Sequence, residues 1–501
     1  MTEEFSKVMK FTQDCGMLSC DAVIVGCSGG PDSMALLDIL DTYRNDINSR
    51  MMLYCIHVNH NLRQGDCLDD EHLVTDFCKE RNIPLVVRSF DVESRSLQDR
   101  LSEETEGRKL RYEAFDDLAL SLRESPGIKS IRIAVAHHRD DMAETMMMNL
   151  FRGCGLEGLT CLKPVNGNII RPLLCLSKDD IFRHLRARGI NYATDKTNFD
   201  LNCTRNKWRN SVLPAISDIT GRSAAEALEQ THRLLGQDIE LIETIAGEAY
   251  EKVCVIVGKN RMLLVSEVSK LAPAVRSRVI RRLWEERFGS LTDFETVNLA
   301  MCDELISGAH SQGSVVMPMP FGRTAYRCLD YFVFCDGSGN VEDCACSIAE
   351  SLGFITCRET VSYRITAEFA QELPNTDLTL DAQIIENIDG LEYNNSSWLC
   401  PADVIGGGRV MAANLAATAG GLVFRRAGSS SGKQLRRLFT DLKVPRQARR
   451  YIIFAHCGDE VLWIPGLGHA VGFTNDKSRR RYEESHGQSE LVRIAIERKQ
   501  H

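Results

Sequence analysis

The first 200 residues predict an α/β fold built on a doubly wound, mainly parallel sheet. Short apolar runs rich in Val and Ile occupy 22–28, 51–58, 84–90 and 131–137, and each has the length of a buried strand. Amphipathic stretches typical of helices separate these runs. Strands that alternate with helices form parallel sheets, and such sheets bind ligands at the carboxyl ends of their strands. We therefore expect the functional residues to follow the strands directly.

The pattern changes after about residue 217, and the sequence predicts four parts. Residues 1–217 form the α/β domain, and residues 218–312 carry long helical patterns. Residues 313–420 are rich in short β-like runs, with a loose connection expected from about 370 to 420. Residues 421–501 form a small, basic α+β domain. A helical domain and a small α+β domain are thus expected to follow the parallel sheet.

Composition indicates a folded protein of the cytoplasm. The chain is 44% hydrophobic and 26% charged, and its apolar runs fall short of the ~20 residues that span a bilayer. The N-terminal residues lack the basic-then-apolar pattern of a secretory signal. Nineteen cysteines are scattered without any CxxC pair, which suits a reducing compartment. We expect a cytoplasmic location and no membrane partner.

Basic segments keep an anionic polymer among the expected partners, although the net charge is −9. Residues 425–450 hold nine Lys and Arg against a single acid, Asp441. Residues 171–210 hold nine basic against four acidic residues. A chain of this net charge does not coat nucleic acid over its whole surface, but such local basic faces can bind one.

The strongest motif lies where the first strand meets the first helix of the sheet. It consists of Ser28, Gly29, Gly30, Pro31, Asp32 and Ser33. Two glycines allow backbone N–H groups to converge on one point, and a helix N-terminus adds positive dipole, so the loop predicts a phosphate site. Pro31 suits the first helical position. Asp32 beside a phosphate is explained if it helps to hold Mg²⁺.

Further polar residues follow the other strands of the predicted sheet. His57 follows the second strand, and His137, Asp140 and Asp141 follow the fourth. Arg108 and Arg111 are three residues apart, and therefore share one face of a helix. Bland alternatives remain open. His57 could be a packed strand-end histidine, Asp140 and Asp141 could serve the helix dipole alone, and His137, Asp140, Asp141 and Glu144 have a spacing that could bind zinc.

The loop resembles the SGGxDS loop of the ATP pyrophosphatase superfamily, and the later motifs resemble one of its families. These motifs are GRKLRY at 107–112, AHHRDDMAET at 136–145, NLFRGCGL at 149–156, RPLL at 171–174, DKTN at 195–198 and RNKWRN at 205–210. In this order they are similar to the signature series of tRNA(Ile)-lysidine synthetase. GRKLRY departs slightly from the commoner ARxxRY. LRRLFTDLKVPRQARR at 435–450 and VLWIPGLG at 461–468 also resemble the last domain of that family.

This resemblance implies a PP-loop ATPase fold of the HUP-like type and a ligase that forms a carbon–nitrogen bond. Free L-lysine would attack C2 of the wobble cytidine in the CAU anticodon of isoleucine tRNA, after ATP has adenylated that base. AMP and pyrophosphate would be released, with ATP and Mg²⁺ as cofactors. The sequence is also compatible with a homodimer. The ε-amine of lysine has a pKa of ~10.4, so a group that takes its proton is needed.

The resemblance assigns roles to individual residues. Candidate catalytic residues are Asp32, Arg108, Arg111, His137, Asp140 and Asp141, with the base left open between Asp140 and Asp141. Candidate ATP-binding residues are Ser28, Gly29, Gly30, Pro31, Asp32, Ser33 and His57, and Asp32 would contact Mg²⁺ held by the phosphates. Candidate RNA-binding residues are Asn198, Arg205, Asn206, Arg209, Lys433, Arg436, Arg437 and Arg449. Trp208 could stack on an unpaired base or pack in the core.

Three other functions compete with lysidine formation. A PP-loop tRNA thiolation enzyme uses the same loop, but the nearest such families carry CxxC motifs that this chain lacks. An amidating enzyme would need a glutaminase half, and position 2 is Thr2 rather than a nucleophilic cysteine. A regulator that only binds ATP or tRNA has no evident need for Asp32 and the group at 137–141.

Overall fold

The computed structural model of the chain describes residues 2–498, apart from 60–65, 100–101, 194–203, 292–293, 309–312, 386–396, 407, 417, 419–420, 428, 430, 474–475 and 487–489. The chain divides into two units, Met1–Leu241 and Ile242–His501, and each is described by itself.

The first unit alternates strands and helices along its length. Its strands are β1 (Ala22–Gly26), β2 (Met52–Asn59), β3 (Leu85–Ser89), β4 (Ile131–Ala134), β5 (Val165–Asn166) and β6 (Ile169–Ile170). Its helices are α1 (Glu3–Asp14), α2 (Pro31–Asp46), α3 (Asp66–Glu80), α4 (Val92–Asp99), α5 (Glu103–Arg123), α6 (Arg139–Phe151), α7 (Leu156–Leu159), α8 (Lys178–Arg188), α9 (Thr204–Lys207), α10 (Leu213–Thr220) and α11 (Ala224–Val253). A 3₁₀ turn at Pro172–Cys175 and a π-helical turn at Trp208–Val212 complete it.

The six strands form one sheet in the order β3-β2-β1-β4-β6-β5. All neighbouring pairs are parallel except β5 and β6, which are antiparallel. The chain moves outward from β1 to β3 on one side and resumes with β4 on the other, so a crevice opens at the carboxyl ends of β1 and β4. The doubly wound, mainly parallel fold predicted from the sequence is confirmed.

Strand β1 shows why the first apolar run has no polar alternation. Val23 and Val25 pack into a core on one face of the sheet, and Ala22 and Ile24 pack into a second core on the other face. A strand that is buried on both faces must be apolar at every position. The two cores therefore fix the end of β1, where the glycine loop begins.

Helix ends follow the signals in the sequence. Helix α2 begins at Pro31, as predicted for a proline at the first helical position. The capping box predicted at Ser177 and Asp180 opens α8, and the helix ends at Gly189 with a left-handed φ of 64°. These two helix starts both lie beside the crevice, because residues from each take part in the site described below.

The second unit combines helices with three sheets. Its strands are β7 (Cys254–Val257), β8 (Asn260–Leu264), β9 (Ser314–Pro318), β10 (Thr324–Cys328), β11 (Tyr331–Cys335), β12 (Ser362–Arg364), β13 (Phe369–Glu372), β14 (Leu378–Ile385), β15 (Ser397–Pro401), β16 (Met411–Asn414), β17 (Val423–Phe424), β18 (Lys433–Gln434), β19 (Ile453–Cys457), β20 (Glu460–Ile464), β21 (Gly468–His469) and β22 (Leu491–Arg498). Its helices are α12 (Val265–Val268), α13 (Pro273–Phe288), α14 (Thr296–Ser307), α15 (Gly337–Ser351), α16 (Ala402–Ile405), α17 (Leu435–Asp441) and α18 (Asp476–His486).

The loose connection expected from about 370 to 420 is wrong for the described residues. Strands β13, β14 and β15 form a sheet of order β13-β14-β22-β15, and β16 joins a second sheet beside β19. Strand β14 pairs along its whole length with β22, more than 100 residues later in the chain. Sequence patterns report local periodicity, so a strand whose partner lies this far away gives a weak signal. The division into four parts stays a prediction. Each helix in the described residues is too short or too polar to cross a membrane.

A buried ion-pair network joins α2, α8 and the end of α3 in the first unit. The Asp38 carboxylate is fully buried and accepts hydrogen bonds from Arg81 Nη1 at 2.6 Å, His184 Nε2 at 2.9 Å and Arg188 Nε at 3.1 Å. Burial raises the pKa of Asp38, but the hydrogen bonds from His184 and Arg188 and the charge of Arg81 outweigh it and lower the pKa to about 2. The ionised carboxylate thus holds together the elements on which the crevice is built.

Replacing Asp38 with Asn should destabilise the first unit, because three donors then lose their buried counter-charge. We expect a loss of roughly 3 kcal/mol at neutral pH. The folded-state pKa is depressed, so this contribution is present above the unfolded value near pH 4 and is lost as pH falls toward 2. Thermal unfolding of wild type, D38N and the exposed control D46N across this range checks it. Equal melting temperatures for D38N and wild type at neutral pH would contradict the assignment.

Candidate active site

The loop between β1 and α2 is shaped to receive an anion. Gly29 has a φ of +87°, a left-handed conformation that glycine adopts without strain. Gly30 precedes α2 and offers no side-chain acceptor to the first N–H groups of the helix. Ser33 Oγ accepts the Ser28 N–H at 3.1 Å and donates to the Gly30 carbonyl at 3.0 Å, which fixes the turn. Uncapped N–H groups at a helix N-terminus favour a phosphate.

His57 supports this loop from inside the fold. Its side chain is buried, and Nδ1 donates to the Cys27 carbonyl at 2.9 Å. Cys27 directly precedes Ser28, so the histidine braces the start of the loop. That His57 binds ATP stays a prediction; the contact that it makes here is with the backbone of the loop.

A cavity of about 270 Å³ brings most of the predicted residues together. Its walls include Ser28, Gly30, Asp32, Ser33, Arg108, Arg111, Tyr112 and His137, with Ile56, Val58 and Phe115 as an apolar side. Arg108 and Arg111 both come from α5, as their spacing predicts, and the Arg108 guanidinium lies 5.3 Å from the centre of the Tyr112 ring. The cavity thus joins a phosphate cradle to two cations and an apolar wall that suits a purine.

His137 enters the cavity as a neutral imidazole. Burial, together with the nearby charges of Arg171 and Arg108, lowers its pKa to about 4 although Asp141 opposes the change. Arg171 Nε donates to His137 Nδ1 at 3.3 Å. The ring can therefore accept or donate a hydrogen bond at neutral pH without carrying a charge.

Three carboxylates surround His138, which the sequence did not single out. The ring is 1% exposed, and its Nδ1 lies 3.4 Å from Asp140 Oδ2. Its Nε2 lies 3.5 Å from Asp141 Oδ2 and 3.8 Å from Asp32 Oδ1. Burial lowers the pKa of His138, but the charges of the three carboxylates outweigh burial and raise it. A charged imidazolium thus balances the acids that the loop and α6 bring together.

Lys178 is the second residue that sequence reasoning missed. Its Nζ lies 2.6 Å and 2.8 Å from the two carboxylate oxygens of Asp32, and its backbone N–H donates to Asp140 Oδ2 at 2.8 Å. The capping box at Ser177 placed Lys178 at the start of α8, but the sequence gave no indication that α8 meets the glycine loop. The lysine sets a positive charge at the edge of the phosphate cradle.

Glu144 anchors two arginines beside the same acids. Its carboxylate is fully buried and accepts from Arg205 Nε at 2.7 Å and Arg209 Nε at 2.5 Å. Arg209 Nη2 also donates to Asp141 Oδ1 at 3.0 Å. Among the described residues, no three His, Cys, Asp or Glu side chains are arranged to hold a metal ion, so the zinc alternative gains no support.

The predicted RNA-binding residues fall into two groups. Arg205 and Arg209 are engaged with Glu144, Asn206 lies between them on α9, and Asn198 lies outside the described residues. In the second unit, Arg436 and Arg437 are exposed on α17 and Lys433 pairs with Asp441 at 2.9 Å. Arg449 donates to Thr440 Oγ1 at 2.9 Å. RNA binding by all eight stays a prediction.

The residues at the crevice fit ATP and Mg²⁺. The uncapped N-terminus of α2 and the left-handed Gly29 suit phosphate oxygens, and Arg108 and Arg111 supply cations. The Asp32 carboxylate is 28% exposed, so one hard oxygen ligand faces the cavity. Mg²⁺ is commonly held by one or two carboxylates plus substrate phosphates. The donor set therefore fits a metal that arrives with the nucleotide.

A parallel sheet with a glycine turn and SGGxDS sequence at its switch point defines the PP-loop ATPases, and comparison with known families agrees. The family model described as "PP-loop domain" matches residues 1–216. The model described as "TilS substrate C-terminal domain" matches residues 413–485. Together they match more than half of the chain. The chain belongs to the tRNA(Ile)-lysidine synthase family.

Relatives over nearly the full length support this assignment. A tRNA(Ile)-lysidine synthase of Caldanaerobacter subterraneus is 28% identical over 473 residues, which cover 94% of this chain and 95% of the relative. The tRNA(Ile)-lysidine synthase of Geobacter sulfurreducens is 29% identical over 464 residues, 92% of each chain. That of Clostridium perfringens strain 13 is 33% identical over 291 residues, which cover 58% of this chain and 60% of the relative.

Replacing Lys178 with Met should weaken ATP binding roughly ten-fold, since a positive charge beside the phosphate cradle is lost and Asp32 is left to repel the phosphates. K178R keeps the charge and should bind ATP nearly as well as wild type. Isothermal titration calorimetry with MgATP measures the difference, and K10M, at an exposed lysine of α1, is the matched control. Unchanged affinity in K178M would remove Lys178 from the nucleotide site.

Proposed function

We propose that the protein joins free L-lysine to C2 of the wobble cytidine in the CAU anticodon of isoleucine tRNA, forming lysidine. The reaction passes through an adenylated cytidine and releases AMP and pyrophosphate. The observation that carries this proposal is one crevice that joins the SGGPDS cradle, two arginines and a cluster of carboxylates. Membership of the tRNA(Ile)-lysidine synthase family supports the same reaction.

The glycine loop would hold the phosphates of ATP, and Asp32 would contact the Mg²⁺ bound to them. When bound, ATP supplies the adenylyl group and Mg²⁺ neutralises phosphate charge. Arg108 and Arg111 line the same cavity and stabilise the negative charge that builds up on the phosphates. Tyr112 and the apolar wall orient the nucleotide and exclude water.

The acids on α6 suit the amine substrate. Asp140 and Asp141 both have lowered pKa values: burial acts against this, but His138 and neighbouring cations outweigh it. Ionised carboxylates attract the ε-ammonium group of lysine and can take its proton when it reacts. Asp140 is 29% exposed and Asp141 13%, so we assign the proton-accepting role to Asp140. Arg205 and Arg209 are positioned to attract the α-carboxylate of the lysine.

The tRNA needs cationic surfaces beyond the crevice. The exposed arginines of α17 and the basic residues around it supply one, in the part of the chain predicted to bind tRNA at 421–501. The helical part at 218–312 is proposed as a further contact. We place the reaction in the cytoplasm, where tRNA and free lysine meet. A homodimer stays a prediction.

The thiolation alternative has less support. Sulfur relay would use paired cysteines, and no two of the nineteen cysteines are separated by two residues. The 17 cysteines within the described residues are all free thiols.

Purified protein with MgATP and labelled lysine should transfer label to unmodified isoleucine tRNA with a CAU anticodon, and D32N should abolish transfer. The amide keeps the shape of Asp32 but cannot neutralise a metal or the Lys178 ammonium. Circular dichroism confirms that the variant is folded, and D46N is the control. Incorporation of sulfur in place of lysine would select the thiolation enzyme, and wild-type transfer by D32N would remove Asp32 from the mechanism.

Reversing the charge of Arg436 and Arg437 together should weaken tRNA binding and flatten its dependence on salt. If both contact phosphate, the slope of log K against log salt falls by about 1.5. ATP binding should not change, because α17 contributes nothing to the ATP cavity. A control reverses the exposed Arg123 and Lys129 of the first unit. A tRNA affinity and salt slope equal to those of wild type would leave this surface without a role in RNA binding.

A further inference from the structure

Helix α6 ends in an exposed aromatic side chain that the reaction as described does not use. Phe151, the last residue of α6, is 72% exposed, an uncommon state for a phenylalanine. Its ring centre lies 5.3 Å from that of Trp208, with the two planes tilted by 33°. Trp208 packs on its other side against Ala143 and Met147 of the same helix. The pair therefore forms a fixed aromatic surface with one ring face open to solvent.

Positive charge borders this aromatic pair. Arg152 follows Phe151 and Lys207 precedes Trp208, and both side chains are exposed. Trp208 also begins the π-helical turn Trp208–Val212, a conformation that is rare and frequent at functional sites. An aromatic face bordered by cations is the arrangement by which proteins bind unpaired nucleotides, with stacking on the base and attraction to the phosphate.

The position of the pair connects it to the active site. Arg209, the residue after Trp208, pairs with Glu144 and Asp141 near the start of α6. Phe151 lies ten residues further along the same helix, about 15 Å from Asp141 at 1.5 Å per residue. A short single-stranded segment can span this distance while one of its bases occupies the crevice.

We propose that Phe151 and Trp208 form a stacking platform for an unpaired nucleobase of the RNA substrate, a neighbour of the base that reacts. The inference rests on the proposed function, which supplies a single-stranded anticodon loop at the crevice. Two rings are too small for a protein interface, since a stable one buries about 800 Å² on each partner. Stacking reads no sequence by itself, so the platform positions the loop and leaves the choice of base to the crevice.

Tryptophan fluorescence can observe this platform directly. The chain has four tryptophans, and Trp284, Trp398 and Trp463 are fully buried, so quenching by acrylamide reports mainly on Trp208. Titration with isoleucine tRNA bearing a CAU anticodon should quench the emission and protect it from acrylamide. W208F should remove this signal while it keeps an aromatic ring and near wild-type affinity.

Replacing Phe151 with Leu separates stacking from simple cover of the Trp208 ring. Leucine preserves apolar packing but has no π-face, so tRNA affinity should fall roughly ten-fold while MgATP affinity stays at the wild-type value. F151Y keeps the ring and should bind tRNA like wild type. L120A, at another exposed apolar residue on α5, is the matched control.

The outcomes distinguish this inference from the function on which it rests. Wild-type affinity in F151L, or an unchanged Trp208 emission while tRNA is bound and modified, overturns the platform. Quenching by tRNA with no lysine transfer leaves the platform intact and contradicts the proposed function alone.

Discussion

The balance of charge around His138 is the constraint on which the site depends. Asp32, Asp140 and Asp141 come from two different elements and converge within 3.8 Å of one buried ring. Three carboxylates this close to a triphosphate site would repel both one another and the nucleotide. The imidazolium of His138 and the ammonium of Lys178 offset that charge, and Mg²⁺ adds to them when the nucleotide is bound.

This arrangement gives the two ends of the crevice different tasks. On the α5 side, Arg108 and Arg111 face the phosphate cradle and suit developing negative charge. On the α6 side, the carboxylates suit a cationic amine, and Glu144 fixes two arginines next to them. A reaction that first activates a base with ATP and then adds an amine needs both environments in contact. Helix α6 carries the second environment at its start and the aromatic pair at its end.

Much of the sheet and its loop could be predicted from the sequence because the information is local. The apolar run of β1, the glycines and Pro31 each report on their own backbone, and the structure confirms the strand, the turn and the helix start. Lys178 and His138 could not be assigned in this way. Lys178 meets Asp32 across 146 positions, and the charge of His138 depends on three acids that only the folded chain brings together. The pairing of β14 with β22 was hidden for the same reason.

The central claim is that the glycine loop positions ATP for cleavage between its α- and β-phosphates, with the adenylyl group passing to the tRNA before lysine reacts. Incubation with ATP labelled at the α-phosphate, Mg²⁺ and isoleucine tRNA, with lysine omitted, tests it most directly. The account predicts label bound to the tRNA and one pyrophosphate per label, and loss of that label as AMP once lysine is added. Release of ADP and phosphate, with no label on the tRNA, would contradict it.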